Sequence, residues 1–217
     1  MYVKSRMTKM PYTASKDTKI TKILDVMSER NFHRVPIVDE NGNLLGLITE
    51  GVIRENSPSK ATSLSIHELN YLLSKTTAGD IMIHDVHTIE PEALLEAAAS
   101  EMRKHDIGCL PVVENNKVIG IITKNDIFDA FIDLLGYNAL GSRIVVKIEE
   151  DKVGVLNHIS GILAENQISI SHLGVYHEED EILVVIKSSS TDEKGIKGLL
   201  EENNYKVINA TIQKGRK

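Results

Sequence analysis

The sequence predicts a multidomain α+β / α/β protein, in which two copies of one small unit pack as a pair and a ferredoxin-like βαββαβ module follows. Three observations carry this. Met7, Met27 and Pro36 recur as Met82, Met102 and Pro111, each displaced by 75 residues. Within each copy the apolar pattern switches between strand and helix periods. From Arg143 onward the rhythm changes to a different order of elements. Self-similarity at such a long period governs the fold before any single motif does.

Each copy reads as strand, helix, strand, turn, strand, helix. Copy one, assigned to 1–60, has Ile20, Ile23, Leu24 and Met27 in the i, i+3, i+4, i+7 stripe of an amphipathic helix; copy two, assigned to 77–135, has Leu95, Ala98, Ala99 and Met102. Asn41-Gly42 and Asn115-Asn116 mark hairpin turns between short apolar strands. The first turn is one residue longer, so Gly46 and Thr49 correspond to Gly120 and Thr123 with a displacement of 74. Between the copies, 61–76 reads as a connecting helix, with Ser65 and Glu68 in capping-box spacing. The glycines of 136–142 mark a linker. The third module, 143–217, alternates in "ISISHLGVYH" and runs apolar in "ILVVIK", as expected of an antiparallel sheet with helices on one face.

Composition narrows the function. A chain of 217 residues with 41% hydrophobic and 26% charged content is ordinary for a globular protein. No apolar run approaches the roughly 20 residues that span a bilayer, so a cytoplasmic protein without membrane contact is expected. A single cysteine, Cys109, forms no internal disulfide, and a net charge of -6 argues against a nucleic-acid partner. His84 and His87 lie three apart, which in a strand directs them to different faces, and no zinc-type spacing accompanies them; no metal site is expected. No nucleophile-base, P-loop or dinucleotide motif is present, so neither catalytic residues nor a required cofactor is expected.

"HRVPIVD" with "GLIT", and "GCLPVVE" with "GIITKND", resemble a pair of CBS domains, and "EEDKVGVLNHISGILAENQISIS" resembles the opening of an ACT domain. The order CBS-CBS-ACT, with the connector "LNYLLSKTTAGDIM", is similar to the acetoin utilisation regulator family. The resemblance implies a regulatory sensor. Its ligand would be an adenine nucleotide such as AMP, ADP or ATP, taken mainly at the second copy. Asp126 would accept the ribose hydroxyls, Thr123 would lie near phosphate, and Gly120 belongs to the same segment. Ile107, Gly108, Cys109, Leu110 and Pro111, with the strand around Thr88, would flank the base, and Lys124 adds charge near phosphate.

Thr123 and Asp126 also have the spacing of a helix capping box, which any protein could use structurally. In copy one Val52 replaces the carboxylate, so that site is either empty, adapted to another ligand or served by different residues; His33, Arg34 and Thr49 remain available there for a phosphate or carboxylate, Arg34 equally suiting a surface ion pair or partner contact. In the ACT-like module the turn at Asp151, Gly154, Val155 and Leu156 matches the segment that receives an amino acid in ligand-binding members, with Asp151 available to an ammonium. A homodimer formed through this module and an unnamed regulated protein complete the expected partners. The alternatives are a constitutive scaffold, or an amino-acid sensor with only the ACT site active.

Overall fold

The computed structural model describes residues 1–57, 74–178 and 181–215. It falls into two compact units, Met1–Ile127 and Phe128–Lys217. The helix expected over 61–76 lies almost wholly outside the described residues. The division at 127/128 falls inside a helix, upstream of the 136–142 segment read as the linker.

The first unit opens with a 3-10 turn, Val3–Ser5, and a short strand, β1 (Thr8–Lys9); α1 (Ile20–Arg30), β2 (Arg34–Val38), β3 (Leu44–Thr49) and α2 (Glu50–Glu55) complete copy one. Copy two comprises α3 (Ala78–Ile81), α4 (Leu95–Lys104), β4 (Cys109–Glu114), β5 (Lys117–Thr123) and α5 (Lys124–Leu134), whose last turns belong to the second unit. The helix stripes face the core as their spacing demands: Ile20, Ile23 and Met27 of α1 and Leu95, Ala98 and Met102 of α4 are buried. Both hairpins carry the positive φ that their turns require, at Gly42 in one and at Asn115 and Asn116 in the other.

The leading segment of each copy crosses to the other. β1 of copy one pairs with β5 of copy two, Thr8 opposite Ile121 and Lys9 opposite Gly120, giving the sheet order β1-β5-β4. In return Ile83 of copy two forms a two-way backbone bridge with Leu47 of β3, at 3.0 Å in each direction. The first strand expected in copy two is thus reduced to bridges, at Ile83 with Leu47 and at Ile89 with Val112. Packing repeats the exchange. A Cβ on Gly120 would lie 2.4 Å from Met7 Sδ, and one on Gly46 would lie 2.6 Å from Met82 Sδ and 2.7 Å from the Ile83 carbonyl oxygen. Both glycines are required by close approach of the opposite copy.

The second unit runs β6 (Gly141–Ile148), α6 (Val155–Glu165), β7 (Ile170–His177), β8 (Ile182–Ser188), α7 (Glu193–Glu202) and β9 (Lys206–Gln213), the βαββαβ order expected. Its antiparallel sheet is ordered β7-β8-β6-β9. Alternate residues Ile144, Val146 and Ile148 of β6, with Val184 and Ile186 of β8, bury against Ile159 and Leu163 of α6 and Ile196 and Leu200 of α7.

Two glycine substitutions should therefore act in opposite directions in urea unfolding. Gly46→Ala places a methyl against backbone and is expected to cost about 1–3 kcal/mol by overpacking. Gly51→Ala, whose Cβ would meet only Thr49 Oγ1 at 3.5 Å, is expected to gain about 0.5–1 kcal/mol from helix propensity.

Candidate functional site

The crossing of leading segments makes composite clefts. The larger cleft of the first unit, about 450 Å³, combines copy-one residues His33, Arg34, Thr49, Gly51 and Arg54 with copy-two residues Ile83, Val86, His87, Ile107, Gly108 and Cys109. A second, of about 300 Å³, combines copy-two Ile121, Thr123 and Asn125 with copy-one Thr8, Pro11, Tyr12, Phe32, His33 and Arg34. Both volumes fall within the range of small-molecule sites.

The residues grouped in the sequence as one nucleotide site are thereby divided. Ile107, Gly108 and Cys109 face the first cleft beside Thr49, whereas Thr123 faces the second, beside Phe32. The reason is geometric: segments within one copy look adjacent in sequence, but each cleft is walled by strand ends from both copies. Strand alternation separates neighbours too. Cys109 borders a cleft, and Leu110, next on β4, is fully buried on the opposite face. Pro111 is also buried, Gly120 is covered by Met7, and Thr88 is exposed; all four lie outside the linings of the two clefts. Lys124 is half-buried, its Nζ 3.7 Å from Asp106 Oδ1. His33, Arg34 and Thr49, taken together for a second ligand, do share the first cleft, where His33 Nδ1 lies 2.9 Å from Glu50 Oε1.

Thr123 and Asp126 form the reciprocal capping box. The Thr123 backbone N–H and hydroxyl both donate to Asp126 Oδ2, each at 2.7 Å, and the Asp126 N–H reaches Thr123 Oγ1 at 3.4 Å. Both strong bonds end on one carboxylate oxygen. Thr77 and Asp80 repeat the same pair of 2.7 Å bonds at α3, where Asp80 is held below the usual carboxylate range by the Thr77 N–H and then its hydroxyl. In copy one, Thr49 still accepts from the Val52 N–H at 3.2 Å, so the helix start survives without an acid.

Arg34 borders both clefts. Its guanidinium sits where a Cβ on Gly108 would lie 2.6 Å from Nη2, and among the described residues it makes no side-chain hydrogen bond or ion pair. Its positive charge acts on Cys109, yet burial wins and pushes that thiol up to about 11. Residues that sequence reasoning missed are Tyr12, Phe32, Asn125 and Arg54; His87, weighed there only as a metal ligand beside His84, lines the first cleft. Tyr12 and Phe32 stack with centroids 5.8 Å apart. Only the pairing of β1 with β5, which no local pattern reports, brings Tyr12 towards Thr123.

In the second unit a cleft of about 510 Å³ gathers Asp151, Lys152, Gly154, Val155, Leu156 and Asn157 with Val175, His177, Ile182 and Val184. All four residues expected there are brought together. Gly154 is the N-cap of α6 at φ +97°, a conformation that favours glycine, with open space where a Cβ would stand.

The profile of the CBS domain matches residues 3–57 and 78–133, and that of the ACT domain matches 142–204. The crystal structure of a protein described as an acetoin utilization protein (AcuB), from Vibrio cholerae, is 32% identical with a TM-score of 0.52, over 62% of this chain and 93% of that one. The CBS domain pair of protein MJ0100, in complex with 5′-methylthioadenosine and S-adenosyl-L-methionine, is 30% identical with a TM-score of 0.50, over 60% of this chain and 95% of that one. A homoserine O-acetyltransferase of Methanococcoides burtonii is 37% identical over 122 residues, which are 56% of this chain but 22% of the enzyme. The likeness to that enzyme spans less than a quarter of its length. No helix among the described residues is long and apolar enough to cross a membrane.

Native protein at pH 8 should resist alkylation at Cys109, because a thiol pushed up to about 11 is almost wholly protonated there. Unfolding in urea should restore labelling. The same shift predicts stability lost as pH rises from about 9 towards 11, where the unfolded thiol ionises and the folded one does not. Rapid labelling of folded protein would contradict the burial.

Proposed function

Because this chain belongs to the CBS domain family and carries an ACT domain after the tandem pair, we propose that it is a regulatory sensor of an adenosine-containing ligand, bound chiefly in the Thr123 cleft. The observation that carries this reading is the state of Asp126. Its two short bonds end on Oδ2, and among the described residues nothing donates to Oδ1. A carboxylate locked in this way is preorganised to accept a ribose hydroxyl at its second oxygen. Asp126 itself is not among the cleft's lining residues; its capping partner Thr123 is, and with it Tyr12 and Phe32 offer aromatic surface for a base, while Arg34, without a side-chain partner among the described residues, offers a guanidinium for a phosphate or carboxylate. The relative that holds 5′-methylthioadenosine and S-adenosyl-L-methionine supports the adenosine class. CBS and ACT domains are regulatory modules, which favours sensing over catalysis.

The ACT cleft supports a second ligand. Asp151, Lys152 and the start of α6 share it, placing an acidic group and a basic group where an amino acid's ammonium and carboxylate could both be met. The same module is the proposed dimerising element: β7 is an edge strand, and Leu173, Val175 and Tyr176 along it are exposed.

Thermal-shift titration with AMP, ADP, ATP, 5′-methylthioadenosine and S-adenosyl-L-methionine tests this. A ligand at a hundred times its Kd should add about 2.7 kcal/mol. Asp126→Ala should abolish that response, and its unliganded baseline should fall by about 1 kcal/mol through the lost cap. Asp126→Asn keeps an acceptor for the helix start and separates the two roles. Absence of any adenosine response, or one that persists in Asp126→Ala, would overturn the assignment to this cleft.

A further inference from the structure

We infer that His87, Glu101 and His105 form a binding site for a borderline divalent cation of the Zn²⁺ class. The three come from two segments. Glu101 and His105 are one turn apart at the end of α4, with His105 as its C-cap, and His87 lies on the segment leading into copy two's core. Their donor atoms all lie within 4.8 Å of one another. His105 Nε2 stands 3.3 Å from Glu101 Oε2, and the His87 and His105 rings face each other with centroids 3.8 Å apart and a tilt of 31°.

The donor set and spacing suit a metal. Two imidazoles and one carboxylate are a recurrent zinc set, and tetrahedral bonds of about 2.0–2.1 Å place neighbouring donors roughly 3.3–3.4 Å apart. The Glu101–His105 pair already stands at that separation. The other donors, within 4.8 Å, need to close by at most about 1.5 Å, within reach of partly exposed side chains. Three protein ligands leave a fourth position for water or an anion.

The backbone around His87 is fixed on both sides. Ile83 is bridged to Leu47 of copy one, and Ile89 donates to the Pro111 carbonyl at 3.1 Å and accepts from Val113 at 2.9 Å. Such anchoring supplies the preorganisation that a metal site needs. The alternative, an i,i+4 His–Glu ion pair at a helix end, accounts for Glu101 and His105 but not for the second imidazole stacked against them. The site uses none of the Thr123-cleft residues, so it stands whether or not a nucleotide binds. It does touch the other cleft, since His87 lines it.

Calorimetric titration of nucleotide-free, metal-stripped protein with Zn²⁺ alone tests the inference, with Co²⁺ absorption as the second probe of coordination. One ion per chain is expected. His105→Ala and Glu101→Gln should each weaken it by at least the 10–100-fold that loss of an outer-sphere partner causes. His84→Ala, which removes the nearby exposed imidazole, should leave it unchanged. Thermal unfolding of each variant without metal verifies the fold, and Glu101→Gln keeps the size of the side chain it replaces. No Zn²⁺ binding, or binding that survives both His105→Ala and Glu101→Gln, overturns the site.

Discussion

Much of the first unit depends on one exchange of backbone. Thr8 and Lys9 join the sheet of copy two beside β5, and Ile83 bridges to Leu47 of copy one, so one edge of each sheet is completed by the other copy, while Ala14 and Ile89 close the opposite edges from within their own. Close backbone approach then dictates the side chains. Gly46 and Gly120 carry no Cβ because Met82 and Met7 occupy that space. Leu47, Cys109 and Ile121 bury together where the copies meet. The clefts follow as a necessity: a wall from each copy, with the helix start of one facing the strand entry of the other.

This explains what could and could not be read in the amino-acid sequence. The α1 and α4 stripes, the hairpin turns at Asn41-Gly42 and Asn115-Asn116, and the βαββαβ order of the second unit are local patterns, and local patterns are written in short windows of residues. Thr123 with Asp126 was legible both as a capping box and as a ligand segment, and the structure shows the first outright. Leu110 was grouped with Cys109 by adjacency, although period-two alternation sends it into the core. Tyr12 carried no signal as a neighbour of Thr123, because what brings them together is the pairing of β1 with β5, Thr8 opposite Ile121, and His87 was weighed only with His84, not with the residues of another element that it meets. Glu101 and His105 did carry one, an i,i+4 pair of metal-binding side chains, but it gains meaning only when His87 arrives from elsewhere.

Duplication also lets one copy serve as a control for the other. Thr49, Thr77 and Thr123 all stand at helix starts; Asp80 and Asp126 complete the box, and Val52 does not. A short helix such as α2 evidently starts with the hydroxyl alone. The acid at 126 is therefore not demanded by helix initiation in this fold, although Asp80 shows that a purely structural setting also accepts one.

Arg34 has a further consequence, one of arithmetic. A single guanidinium borders two compartments and, among the described residues, has no fixed partner in either. It can swing its full fork towards one anion at a time, so two negatively charged guests would draw on the same donor. Whichever enters first claims it, and the second meets a site with less positive charge. The pair would then fill in sequence over a broad concentration range, reading out two levels of occupancy in place of a single switch, and by reciprocity each guest would weaken the other equally.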